Sequence, residues 1–374
     1  MVFFIIFSIL LSLAFFVFSY LWVDFNLTLI SWPAIAQVMD LFQHWGFFHR
    51  PVAAKIYLVL TILSFLPSFY FLFKKKIQFS KKRWFWIILP AILIVFAYPF
   101  LSHDIFNYLF DGRMIWFHRV NPYRHAPQEF SADHWTRFMH WVHKSTPYGP
   151  TQIFYSLIIA IAGFNKFLPS YLFIKIGNLI LFLITGFYLI KILKSKRLAV
   201  SLWFLNPFLY QEFLINCHND LLMIFLAVIG FYYWQKKKKK GWLAFLFSVT
   251  SKYVSILLLP AFIFKKHYKI ILLGSSLVLL TGFVVKITSF QAWYFAWLLM
   301  MLPFLKLSRY FWSLVLGGEL LILLVKYYPF LRLGQWQTKG YLFLQGYFIF
   351  LALVLIFDFF CDGGFIRLRR ISRV

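Results

Sequence analysis

Residues that could do chemistry fall in three stretches. Ser102-His103-Asp104 opens a helical pattern in which Asp104, Asn107, Tyr108 and Asp111 share one face by i, i+3, i+4 and i+7 spacing. Ile105, Phe106, Leu109, Phe110, Met114 and Phe117 cover the other face. Such a helix is expected to lie at a membrane interface with its carboxylates and Asn107 turned outward. Asp104 can take a proton from an attacking hydroxyl. It can equally complement the helix dipole behind a Ser102 cap, and the local pattern leaves the two readings even.

The second stretch runs from Asn121-Pro122-Tyr123 to Pro147-Tyr148-Gly149-Pro150, both turn signals. Between them His125, His134, His140 and His143 lack a tight pair with a carboxylate at ligand spacing, so they read as solvated loop histidines and no metal is expected. The third stretch holds Asn206-Pro207, Glu212 and Cys217-His218-Asn219-Asp220. Asn219 or Asp220 can cap a helix, but Glu212 near the end of an apolar span is costly enough to mark a site. Lys252, flanked by Tyr253 between two apolar half-segments, needs an anionic ligand or a partner such as Glu212 or Asp220. Trp293 reads first as an aromatic-belt anchor. Glu319, within an apolar span, has no assignable role.

The elements that must position these residues are set by composition. The chain has 374 residues, 62% apolar and 13% charged, with 51 Phe, 21 Tyr and 15 Trp, and a mean hydropathy of +0.77. A soluble globular domain is excluded. Lys and Arg number 38 against 11 Asp and Glu, for a net charge of +27. In so apolar a chain that charge is a membrane topology signal, and nucleic acid is not an expected partner. A span needs ~20 apolar residues. By that measure spans are expected near 2–22, 53–73, 84–101, 170–192, 198–216, 220–235, 269–288, 291–305, 310–327 and 341–360. Residues 2–22 carry neither a basic start nor a small-residue cleavage site and read as a retained helix rather than a signal peptide.

Basic clusters at 74–83, 191–197, 236–240, 265–269, 306–309 and 367–373 belong on the cytoplasmic side, which places 102–150 outside. That arithmetic makes 151–166 an outer juxtamembrane helix and 241–264 a re-entrant pair of half-helices with Lys252 at its tip. Cys217 and Cys361 then lie at opposite faces, and no disulfide framework is expected. The expectation is an all-α polytopic integral membrane protein with about ten spanning helices, one domain over 1–374 with a core at 84–305, a catalytic outer loop at 102–150 and C-terminal helices at 310–360.

Taken in order, SHDIFNYLFDGRMIWFHRVNPY, STPYGPTQIF, NPFLYQEFLINCHNDLLM, TSKYVSILLLP and QAWYFAWLLMMLP resemble polyprenol-phosphate-mannose-dependent mannosyltransferases of the C-type polytopic glycosyltransferase superfamily. The resemblance covers about 98–305. It implies that Asp104 is the general base, that His218, Asn219 and Asp220 form the second motif, and that Lys252 is the lysine between short helices. Two spans precede the one leading into the catalytic loop, where the simplest members have one. With it, His103, Asn107, Tyr108, Arg113, Asn121, Tyr123, Tyr148, Glu212, Tyr253 and Trp293 become substrate-binding candidates.

Nucleotide sugars are not expected outside the cytoplasm, so an outward-facing transferase needs a polyprenyl-phosphate-sugar donor. Its tail suits a groove between helices, and its phosphate suits Lys252 with Arg113 or His218. The expected reaction is a single inverting displacement onto a glycan or glycolipid acceptor, needing no metal or cofactor, in a prokaryotic plasma membrane with the site facing outward. A transporter or flippase of a lipid-linked saccharide is the alternative, and a polymerase or ligase using the same carriers a third reading.

Overall fold

The computed structural model describes residues 1–25, 32–74 and 79–361, all helical or irregular with no strand among them. The basic residues expected to mark topology at 75–78 and 367–373 lie outside the described residues. The longer helices are α1 (Val2–Ser19), α2 (Pro33–Gln43), α3 (Arg50–Phe73), α4 (Lys81–Ile94), α5 (Asp104–Trp116), α6 (Pro150–Ala162) and α7 (Phe167–Leu193). They continue with α8 (Asp220–Gln235), α9 (Lys240–Ser251), α10 (Tyr268–Val285), α11 (Arg309–Leu333) and α12 (Tyr341–Cys361). Helices are the outcome such a composition dictates, because in lipid each backbone amide and carbonyl must be paired within its own segment.

Among the described residues six helices are long and apolar enough to cross a membrane: Val2–Trp22, Arg50–Phe73, Phe167–Leu193, Lys265–Val285, Arg309–Leu333 and Tyr341–Cys361. A seventh is added if Lys196–Phe204 and Pro207–Ile215, bent by 41°, form one span. The bend has a local cause: Asn206 turns its side chain to the amides of Phe208 and Leu209 and starts a new helix at Pro207.

The expected count of about ten is therefore not met. Helix α4 stops at Ile94 after 14 residues. Helix α8 has 16 residues, and 291–305 forms 3-10 turns, Ala292–Met300 and Leu302–Phe304. Apolar content misled here because it does not say what covers a side chain. Met300, Met301 and Leu302 are fully buried against protein, as are Leu221, Met223 and Ile224 in α8.

Packing places the site. Helix α1 lies against α3 and α4, α3 against α11, α7 against α8, α8 against α9 and α10 against α12. Helix α5 crosses α6 closely. A Cβ on Gly112 would stand 2.2 Å from the Ser156 carbonyl oxygen, so only glycine permits that crossing. The expected interfacial helix at 104–116 is corrected: Asn107, Tyr108 and Asp111 are buried along with Ile105, Phe106, Leu109 and Phe110. The loop after α5 folds back over its polar face, so both faces are enclosed. Residues 240–263 break at Lys252, which is extended (φ −153°, ψ 122°) between α9 and the 3-10 turn Tyr253–Leu258.

Candidate active site

Helix α5 delivers Asp104. Ser102 Oγ accepts from the Asp104 amide at 3.3 Å, while the Asp104 side chain is half-buried and has no hydrogen-bond or ion-pair partner among the described residues. His103 contacts the Tyr98 hydroxyl at 3.1 Å and lies against the His140 ring, tilted 35° with centroids 4.1 Å apart. Burial and the His140 ring push the His103 imidazole down to about 3, so it stays neutral near pH 7. The Asn107 amide donates to the Trp141 carbonyl at 3.4 Å. Asp111 accepts from the Thr146 hydroxyl at 3.0 Å, and burial pushes its carboxyl up to about 8 against that bond.

Arg113 belongs to a separate cluster. It donates to Asp133 at 2.5 Å and to the Asn165 carbonyl at 3.2 Å, with Phe117 and Trp135 against its guanidinium. Burial pushes the Asp133 carboxyl up, but hydrogen bonds from Arg113, the Trp135 amide and His118 outweigh it and hold the carboxyl below its ordinary value. In this structure Arg113 is thus engaged by Asp133 and the Asn165 carbonyl. His125 is likewise paired, with Glu129 at 2.7 Å.

The two turn motifs of the loop are tied to each other. The Tyr123 amide donates to Asn121 Oδ1 at 2.9 Å, the Tyr123 hydroxyl donates to the Tyr148 carbonyl at 2.9 Å, and the Thr146 amide reaches the Pro122 carbonyl at 3.1 Å. Their outer ends are fixed to the 250–252 break. The Gly149 amide donates to the Ser251 carbonyl at 3.3 Å, and Thr151 and Thr250 hydroxyls meet at 2.7 Å. A Cβ on Gly149 would lie 2.0 Å from the Thr250 carbonyl oxygen. Asn121, Tyr123 and Tyr253 are exposed at the rim, while Tyr148 sets its ring edge-on to Tyr108 with centroids 4.9 Å apart.

The Cys217-to-Asp220 stretch follows a π-helical turn, Tyr210–Ile215, that carries Glu212. Cys217 adopts a left-handed φ of 56°, a strained conformation for a side chain with a Cβ. It turns the next three residues toward three different elements. His218 stacks on Trp293 with centroids 3.8 Å apart, so Trp293 packs on the site instead of anchoring a lipid belt. His218 Nδ1 lies 2.9 Å from Glu212 Oε2, a close contact and not an aligned hydrogen bond, since neither atom has a partner of good geometry among the described residues. Tyr327 donates to the other Glu212 oxygen at 2.8 Å. Asn219 meets the Tyr108 hydroxyl of α5 at 3.4 Å. Asp220 Oδ1 accepts from Lys252 at 2.7 Å and from the indole of Trp297.

These contacts draw α5, the start of α8, the Lys252 break and the 292–300 turn into one place. Tyr108 and Tyr148 each lie within electrostatic range of both Asp104 and Asp220. Lys252 retains 25% side-chain exposure beside a fully buried Asp220, under the rings of Tyr294 and Trp297. Buried atoms without a partner among the described residues include, in this region, Asn107 Oδ1, His218 Nε2, Asn219 Nδ2, Asp220 Oδ2 and Ser251 Oγ. Native proteins leave few buried polar atoms unpaired, and those that are call for a water, an ion or a functional role. Glu319 lies elsewhere, accepting from Asn206 at 2.8 Å.

Sequence reasoning missed Trp297, Thr146 and Lys175. Lys175 is fully buried in α7 and donates to the carbonyls of Ala97, Leu214 and Ile215 at 2.8, 3.0 and 2.6 Å. It thereby ties the strand of chain entering Ser102-His103-Asp104 to the one entering Cys217-His218-Asn219-Asp220. The signal was available, since the cost argument applied to Glu212 and Lys252 holds for any lysine inside an apolar span.

The fold and site define a helical protein with several membrane-length helices and a polar, carboxylate-bearing cluster where α5, the start of α8 and the Lys252 break meet. Residues 26–302 match the family described as alpha-(1->6)-mannopyranosyltransferase, N-terminal domain, and the chain belongs to that family. It is also 26% identical over 183 residues to alpha-(1->6)-mannopyranosyltransferase A of Corynebacterium glutamicum, an alignment covering 45% of this chain and 36% of that relative. No solved structure matches the chain.

Proposed function

We propose that this chain transfers mannose from a polyprenyl-phosphate donor to a hydroxyl of a glycan or glycolipid acceptor, with the site on the outer membrane face. The carrying observation is the set of buried polar atoms on α5 and around the Lys252–Asp220 pair that have no partner among the described residues. A sugar supplies donors and acceptors to such atoms at close range, whereas an apolar ligand leaves them unpaired. Family membership favours mannose as the sugar.

In the proposed reaction the acceptor oxygen attacks the anomeric carbon as Asp104 takes its proton. The bond from that carbon to the phosphate oxygen breaks, and the electron pair leaves with the polyprenyl phosphate. Lys252 meets the charge developing on that phosphate, its ammonium aimed by Asp220 and partly desolvated by Tyr294 and Trp297. One displacement inverts the anomeric centre. Stacking of His218 on Trp293, with Glu212 and Tyr327 behind, gives the floor a rigid polar and aromatic surface.

The test is transfer of radiolabelled mannose by the purified full chain in nanodiscs, from polyprenyl-phosphate mannose and, separately, from a nucleotide sugar. Transfer from the lipid donor alone is expected. Transfer from the nucleotide sugar alone, or from neither donor with several mannan and glycolipid acceptors present, overturns the proposal.

A further inference from the structure

The opposite end of the bundle holds a cavity of about 700 Å³ with no part in the chemistry above. It is a partly open cavity lined by the end of α7, the end of α8, the start of α10 and the 303–308 segment entering α11. Asp220 opens α8 and Gln235, which lines the cavity, closes it. At 1.5 Å per residue, ~24 Å of helix separates the cavity from the candidate active site, and the span-length α7 ends at the cavity.

Three lysines line the cavity: Lys194, Lys269 and Lys306. None of them forms an ion pair among the described residues. Lys269 and Lys306 lie within electrostatic range of one another. Asp358, a carboxylate at this end, is turned to the Ser308 amide at 2.8 Å. Gln235 and Ser308 add polar groups, and most of the remaining wall is apolar or aromatic, with Leu193, Phe304 and Trp312. Like charges lining one cavity repel, and an anion seated between them relieves that repulsion. A site that joins ammonium groups to an apolar wall at the end of membrane-length helices matches a phosphate headgroup continuing into acyl chains.

We propose that this cavity binds the headgroup of an anionic phospholipid from the leaflet opposite the candidate active site. The full chain, delipidated in detergent, is titrated with phosphatidylglycerol, with phosphatidylcholine and with inorganic phosphate. Bound lipid is read by native mass spectrometry and stability by thermal unfolding. Phosphatidylglycerol is expected to be retained and to raise Tm, and the other two to do neither. Lys269→Gln/Lys306→Gln should weaken phosphatidylglycerol retention about thirtyfold, while Lys238→Gln/Lys239→Gln in the exposed lysine run keeps it. If the double variant fails to fold, Lys306→Gln, at an exposed position, should weaken retention about fivefold. Equal retention by wild type and the cavity variant overturns the proposal, as does equal binding of phosphatidylcholine. Stabilisation by inorganic phosphate equal to that by phosphatidylglycerol also overturns it and assigns the cavity to a soluble anion.

Discussion

Asp104 carries the proposed proton transfer, and its half-buried carboxylate has no partner to hold it in a purely structural role among the described residues. Asp104→Asn keeps shape and hydrogen bonding but cannot take the proton. Turnover should fall ~10² to 10⁴-fold, with an unchanged melting temperature. Near-normal turnover would return Asp104 to a helix-dipole role worth ~1 kcal/mol. Asp111, ~10 Å along the helix, acts on stability instead. Its folded value of about 8 lies above the usual 3.8, so its contribution is complete below pH 3.8 and lost as pH rises to 8. The His103 value of about 3 lies below the usual 6.5, so its contribution is present above pH 6.5 and lost as pH falls toward 3. The two trends oppose each other between 3.8 and 6.5, and of the two only Asp111 acts from there to 8. Tm in detergent should drop from pH 6.5 to 8, and Asp111→Asn should flatten that drop; an identical drop in both proteins excludes Asp111 as its source.

At the scale of elements, the site is a junction of segment ends, and single residues hold the ends together. Gly149 lets the Pro147-to-Pro150 turn lie on the Thr250 carbonyl. Gly149→Ala must push the two apart, and kcat should fall about tenfold or more, since ~1 Å misplacements of positioning elements cost up to ~10²-fold. Lys175→Met should destabilise the protein by about 3 kcal/mol or more, because three buried carbonyls lose their donor. Denaturant unfolding measures it, and a loss under 1 kcal/mol would mean that the two site segments stand without that tie. Lys252 tests the coupling of the break to α8. Lys252→Met should lower kcat/KM for the lipid donor about 10²-fold. Lys252→Met/Asp220→Asn should not restore it; recovery in the double variant would make the pair structural.

For the whole molecule the decisive measurement is sidedness. The distribution of basic residues assigns 102–150 and the region around 82 to opposite faces. With Cys361→Ser removing the exposed native thiol and Cys217 buried, a cysteine at Ser131 should react with an impermeant reagent from outside. One at Lys82 should react only after permeabilisation. Both positions are exposed in the structure, so labelling of both from one side would refute the outward-facing site.

The sequence by itself determined the helical membrane-protein class, because 62% apolar residues leave no soluble alternative. It also singled out Glu212 and Lys252, since charged groups in apolar surroundings are too costly to be incidental, while Asp104 and the His218-Asn219-Asp220 run stood out through helix-face spacing and the family resemblance. Tertiary structure decided which of these meet. Lys252 pairs with Asp220, and His218 instead faces Glu212 and Trp293. Arg113 departs to Asp133, a choice that helical spacing cannot reveal because the partner lies 20 residues away on a folded loop. Tertiary contacts also set how many segments are long enough to span. Hydropathy records that a side chain avoids water, and only packing says whether lipid or protein replaces it.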